Sequence, residues 1–355
     1  MNLARRRALW RTAAIGVGTA LAVVVALVPL PYLELSPGPT YNVIGEVNGE
    51  PLLLITGTTT YPTEGNLDMT TVSERGGPDN GVLAVRLLAG WLDPDVRVLP
   101  REIFYPDDVG GDDVKQANAR LFSDSEATAT AAALTYLGED VEEVTIVSSV
   151  ITGSPADGKL EPGDEVVSVD GDSIAAPADV TRAMDDVEPG ETVTVVVRRG
   201  EDAATVTEQI VTTSNPEDPS RAFMGISIGI TYRAPFDVRV TLDTVGGPSA
   251  GLFLSLGIVD LLTPGALTGG RFVAGTGTIG PDGTVGPIGG ISQKLVGARD
   301  SGATLFLVPR ANCAEAVSSG VPDGLTTAVV DDISDAVTAI EAYRDGKPVD
   351  PCPAS

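Results

Sequence analysis

DTVGGPSAGLFLSLGIVDLL, residues 243–262, is the stretch from which the fold of this chain is read. A glycine-rich turn leads to Ser249, and an apolar helix follows at once. Gly246 and Gly247 let the backbone turn tightly without the steric cost of a Cβ. Ser249 then falls at or near a helix N-terminus, where unpaired N–H groups and the helix dipole favour a developing negative charge. Backbone N–H groups around Gly247 and Ala250 could line an oxyanion hole. A serine in this place is also an ordinary helix cap, so the segment alone leaves both roles open.

A second segment narrows the choice. AGTGTIGPDGTVGPIGGISQKLVGARDSGATLFLVP, residues 274–309, reads as a strand, a hairpin around Asp282-Gly283, a Gly-Gly turn, a helix and a buried strand. Lys294 falls in the first turns of that helix, among Ile291, Leu295 and Val296. A lysine with apolar neighbours is desolvated and its pKa falls. In its neutral form it is a competent base toward a serine hydroxyl.

Composition removes the usual rivals. The 355 residues contain no histidine, so Ser-His-Asp and Cys-His triads and His-ligated metals are excluded. Two cysteines, Cys313 and Cys352, are too few for a thiolate zinc site. A formal net charge of -26 argues against a nucleic-acid partner. No metal and no cofactor is expected.

Together the two segments resemble the proteolytic domain of the Lon family over residues 222–345. The likeness rests on Gly247-Pro248-Ser249-Ala250-Gly251, on the Val-x-Pro-Ile-Gly-Gly stretch at 285–290, and on Lys294, 45 positions after Ser249. It implies that Ser249 is the nucleophile and Lys294 its base, with Thr276 of Thr276-Gly277 supporting the lysine. Two departures stand out. No Gly-x-x-x-x-Gly-Lys-Ser/Thr loop occurs in the sequence, so no nucleotide partner is expected. Gly246 holds a position that is often acidic in the family, and Asp243 is the nearest carboxylate upstream.

Upstream, GSPADGKLEPGDEVVSVDG at 153–171, followed by a helix at 178–187 and strands at 192–198 and 204–211, resembles a bacterial PDZ domain. Such domains capture an extended peptide as an added strand. Tyr136-Leu137-Gly138 is the one candidate for its carboxylate-binding loop, giving Leu137 and Gly138 as peptide-binding residues. A unit that packs on its neighbour and binds no peptide is the other reading. Residues 126–137 read as a helix stopped by Gly138, and 215–221, with two prolines, as a linker.

Arg5, Arg6, Arg7 and Arg11 precede an uncharged apolar run at 12–30. That pattern predicts a single-pass membrane anchor, cytoplasmic at its N-terminus and extracytoplasmic beyond, with a cleaved signal peptide as the rival. An oxidising location would permit a Cys313–Cys352 disulfide, against two buried thiols. The expected organisation is α+β and multidomain. It comprises a basic N-terminus at 1–11, a transmembrane helix at 12–31, a region of short strands at 32–123 and a PDZ-like β-rich domain at 124–214. A Lon-type α/β proteolytic domain at 222–345 and a tail at 346–355 complete it. The expected function is ATP-independent serine endopeptidase action on unfolded or flexible extracytoplasmic proteins. The PDZ-like module would recruit substrate or gate the site, and the Lon resemblance implies a homo-oligomer. An idle peptide-binding scaffold is the alternative from another class, and self-processing by the same dyad stays open.

Overall fold

Leu305-Phe306-Leu307-Val308-Pro309 is buried at every position, as expected of a strand covered on both faces of a parallel sheet. In the computed structural model, which describes residues 3–105, 110–200, 203–242 and 245–353, it lies inside a six-stranded sheet. The order is Thr326–Val330, Leu305–Pro309, Phe272–Gly275, Asn66–Arg75, Tyr32–Asn42, Arg97–Pro100. The first four strands run parallel, and the last two pairings are antiparallel.

Two compact units are present, Met1–Tyr136 with Phe236–Ser355, and Leu137–Pro235. The sequence division set 32–123 apart from 222–345, and the structure joins them. Three strands from the first hundred residues complete the sheet begun by 272–330, and Leu53–Thr56 pairs with Asp237–Val240. The short apolar runs of the N-terminal region are therefore sheet partners of sequence-distant strands.

Helix Gly251–Leu262 is buried along ten positions, Gly251 to Asp260. Its Gly257 lies so close to Val43 and Leu53 that a Cβ there would come within 2.8 and 2.6 Å of their side chains. Helix Ile291–Ser301 starts after Gly290 (φ 71°) and ends at Gly302 (φ 101°), both left-handed, and buries Ile291, Leu295 and Ala298. Cys313 and Cys352 are disulfide-bonded, with Cα atoms 5.2 Å apart. The tail they hold lies beside the edge strand, where the Val329 N–H donates to the Asp350 carbonyl at 2.9 Å. Closing a loop of this length, with 39 residues of separation, is worth about 4 kcal/mol on chain-entropy grounds.

The second unit has its own sheet, ordered Ala204–Val211, Thr192–Arg199, Glu165–Val169, Glu142–Val150, Ile226–Arg233. Val193, Val195, Val197, Val166 and Ile210 form its core. The expected linker at 215–221 is instead the loop of a hairpin in which Thr213–Ser214 pairs with Ala222–Phe223. Ile226–Arg233, assigned from sequence to the proteolytic domain, pairs antiparallel with Glu142–Val150 from Ile226↔Val150 to Arg233↔Glu142.

The N-terminal expectation is corrected. Among the described residues no helix is long and apolar enough to cross a membrane, which overturns the single-pass anchor and the extracytoplasmic placement built on it. The first helix, Leu3–Ala26, carries four arginines in its opening residues. Its uncharged helical part, 12–26, spans about 22 Å at 1.5 Å per residue, against about 30 Å of hydrocarbon. The end of the apolar run is not helical, because Pro29–Leu30 pairs with Val82–Leu83.

Candidate active site

Ser249 sits in the turn just before helix Gly251–Leu262, and Lys294 one turn into helix Ile291–Ser301. The sheet brings them together. Lys294 Nζ lies 2.8 Å from Ser249 Oγ and 2.8 Å from Thr276 Oγ1. The Thr276 hydroxyl donates in turn to the Ser249 carbonyl at 3.0 Å, and the Gly277 N–H donates to the same oxygen at 3.0 Å. Thr276 thus ties the lysine to the backbone of the serine.

Lys294 is 3% exposed, and its partners among the described residues are two neutral hydroxyls. Burial pulls its pKa down from the ordinary lysine value to about 7. Near neutrality a large share is therefore an uncharged amine with a lone pair, in hydrogen-bond reach of a hydroxyl.

The backbone donors differ from the expected pair. The Gly247 N–H is engaged by the Asn118 carbonyl at 3.0 Å, so it is not open to a ligand. The N–H groups of Ser249 and Ala250 have no backbone acceptor among the described residues. Asp243 lies outside the described residues. A cavity of about 460 Å³ opens on the pair, with Pro39, Tyr41, Thr71, Val72, Ser249 and Lys294 in its lining. Pro39, Tyr41, Thr71 and Val72 come from a region that showed no chemistry in sequence, and only the sheet pairing reveals them. A larger cavity, about 690 Å³ and lined by Arg97, Gln293, Arg299 and Glu315 among others, contains neither Ser249 nor Lys294.

Comparison with known proteins fits this geometry. Residues 243–341 match the family described as the Lon protease (S16) C-terminal proteolytic domain. This is a Lon-type serine-peptidase domain. The Lon domain here is 44% identical over 66 residues to Lon protease 2 of Herpetosiphon aurantiacus, covering 19% of this chain and 8% of that protein. Against Lon protease 1 of Bacillus subtilis strain 168 it is 39% identical over 82 residues, 22% of this chain and 10% of that protein. The chain thus spans about a tenth of the length of the curated Lon relatives it matches. Residues 122–210 match the PDZ domain family. The solved PDZ domain of the SdrC-like protein from Listeria monocytogenes aligns over 24% of this chain and 86% of its own, at 21% identity and a TM-score of 0.22.

Within the PDZ unit the expected peptide-binding residues lie beside an interior strand. Leu137 ends a helix that runs from Gly111, and Gly138 leads into Glu142–Val150. That strand is interior to its sheet, with Glu165–Val169 on one side and Ile226–Arg233 on the other, so it has no free edge for a peptide. The edge strand on this side of the sheet is Ile226–Arg233, and helix Pro177–Met184 packs beside it. Ahead of it runs Phe223-Met224-Gly225, where Gly225 takes φ 82° and the N–H groups of Met224 and Gly225 have no backbone acceptor among the described residues. The signal in sequence was a lone glycine between apolar residues just before an alternating strand. It was missed because the linker assignment ended the PDZ domain too early.

Proposed function

We propose that this chain is a serine endopeptidase working through a Ser249–Lys294 dyad without ATP. The 2.8 Å approach of a buried lysine to Ser249 Oγ is the observation that carries the reading. Neutral Lys294 accepts the Ser249 proton as Oγ attacks a peptide carbonyl. The N–H groups of Ser249 and Ala250 receive the oxyanion. Protonated Lys294 then delivers its proton to the leaving amine. Freed of it, the lysine activates the water that hydrolyses the acyl-enzyme. Thr276 holds the amine in line through its own bond to the Ser249 carbonyl.

The chain supplies no nucleotide-binding loop, which favours unfolded or flexible proteins as substrates. Hydrolysis of unfolded casein by the full chain without ATP tests the reading. Activity is expected to rise through pH 7 as Lys294 loses its proton, and to fall at least about a thousandfold in Ser249→Ala and in Lys294→Ala. Activity that survives either change removes the dyad. An inert parent would favour the peptide-binding scaffold.

The PDZ unit is proposed to take the C-terminus of a partner chain as an added strand on Ile226–Arg233, with the carboxylate at Met224 and Gly225. A Cβ on Gly225 would come within 2.1 Å of the Ser154 side chain, and the φ there disfavours any other residue. Gly225→Val should abolish anisotropy-detected binding of a labelled C-terminal peptide, whereas undiminished binding would place the site elsewhere.

A further inference from the structure

Two carbonyls determine where the open N–H groups of the nucleophile turn point. A peptide unit is planar and trans, so fixing its C=O fixes the opposite direction of the N–H that follows. The Ser249 carbonyl is held by the Thr276 hydroxyl and the Gly277 N–H, and this orients the Ala250 N–H. The Pro248 carbonyl accepts from Ser125 Oγ at 3.2 Å and, at a longer 3.4 Å, from the Gly251 N–H, and this orients the Ser249 N–H.

Ser125 lies on helix Gly111–Leu137, outside residues 243–341 that match the Lon proteolytic domain. It is 6% exposed. Asn118, two helical turns earlier on the same face, accepts the Gly247 N–H. Packing at both points is close. A Cβ on Gly246 would come within 2.9 Å of Asn118 Cβ, and one on Gly251 within 2.9 Å of Ser125 Oγ. One helix face thus grips the turn at Gly246–Gly247 and again at Pro248–Gly251.

We propose that Ser125 is a positioning residue for peptide hydrolysis, holding the Pro248–Ser249 peptide plane so that the Ser249 N–H faces the oxyanion. Without that hydroxyl only the longer Gly251 N–H bond restrains the plane, so it can rotate, and one of two donors turns away while Ser249 Oγ and Lys294 stay in place. The proposal rests on the dyad reading of the site.

The test compares the full chain with Ser125→Ala and Ser125→Cys in casein hydrolysis, with thermal melts and backbone amide exchange. Ser125→Ala should lower kcat about tenfold, the loss of one oriented donor's support, with KM within about twofold and the pH midpoint unmoved. Ser125→Cys, nearly the same shape with a weaker donor, should fall between the two, and it carries the test if the alanine variant does not fold. Exchange at the Gly247 amide should quicken about tenfold in Ser125→Ala, because that N–H is held by the same helix face. Parental kcat in a folded Ser125→Ala, or a loss that only tracks the folded fraction, overturns the proposal. An inert parent in which Ser125→Ala still quickens Gly247 exchange would mean that the dyad reading fails while the grip on the turn stands.

Discussion

Asp164 in the PDZ unit and Lys294 in the proteolytic unit are almost equally buried, at 1% and 3% exposure, and they are treated in opposite ways. Asp164 is fully paired. Arg199 meets both its carboxylate oxygens at 2.7 Å, and the Glu161 N–H adds a third bond at 2.8 Å. Lys294 has two neutral hydroxyls and, among the described residues, no counter-ion. A paired buried charge holds a turn in place; a solitary one is pushed toward its neutral, reactive form. Burial alone therefore does not mark a working group, and the character of the partners does.

Asp260 sharpens the point. It is fully buried in helix Gly251–Leu262, and burial also drives its pKa toward the neutral form. The Thr63 hydroxyl at 2.6 Å and the Leu267 N–H at 2.8 Å both donate to it. It is not among the residues lining the cavity at Ser249, so it serves to tie a loop to a helix.

The comparison breaks most visibly at the paired site. Asp164→Ala leaves Arg199 without its bidentate partner, facing only the Lys159 carbonyl and Glu161. Removing one member of a buried pair costs about 3–5 kcal/mol. Urea unfolding should show a loss of that size in the PDZ unit, while the amides around Lys294 keep their exchange rates. A loss below about 1 kcal/mol would mean that the pair is solvated and the contrast is empty.

The proposed dyad was legible in sequence because its parts are local. A glycine turn before a helix and a lysine among apolar residues are each written within a few positions, and their spacing carries the rest. The architecture around them was not. Tyr41, Thr71 and Val72 reach the site only through pairings such as Tyr41↔Met69 and Ala274↔Asp68, which no local pattern encodes. Ile226–Arg233 shows a strand's alternation, but its partner Glu142–Val150 lies more than seventy residues away, so the domain boundary fell on the wrong side of it. Helix Gly111–Leu137 begins fifteen positions before the expected start at 126, because Gly110-Gly111 reads as a turn and its polar first half has little apolar periodicity. The anchor failed for a related reason. The apolar run continues to Leu30, yet strand pairing at Pro29–Leu30 ends its helix early.

The smaller and more discriminating effect is expected at Lys294, whose partners are hydroxyls. Lys294→Met keeps the apolar stem and removes the amine. In the unfolded chain the lysine titrates near its ordinary 10.5, and in the folded chain near 7. Between these values the unfolded state binds more protons, so parental stability rises with pH across that window and is lowest below about pH 7. A shift of this size corresponds to about 5 kcal/mol of desolvation cost in the charged form. Two hydroxyls, on Ser249 and Thr276, lose a partner in the variant at about 1 kcal/mol each. The variant should therefore be about 3 kcal/mol more stable than the parent at pH 6, and the gap should close and then reverse as pH approaches 10. Chemical denaturation of both proteins at pH 6, 8 and 10 measures it. A variant that is less stable than the parent at pH 6 would show that Lys294 has a compensating charge. Its place beside Ser249 would then resemble the paired arrangement at Asp164 more than a base held ready to accept a proton.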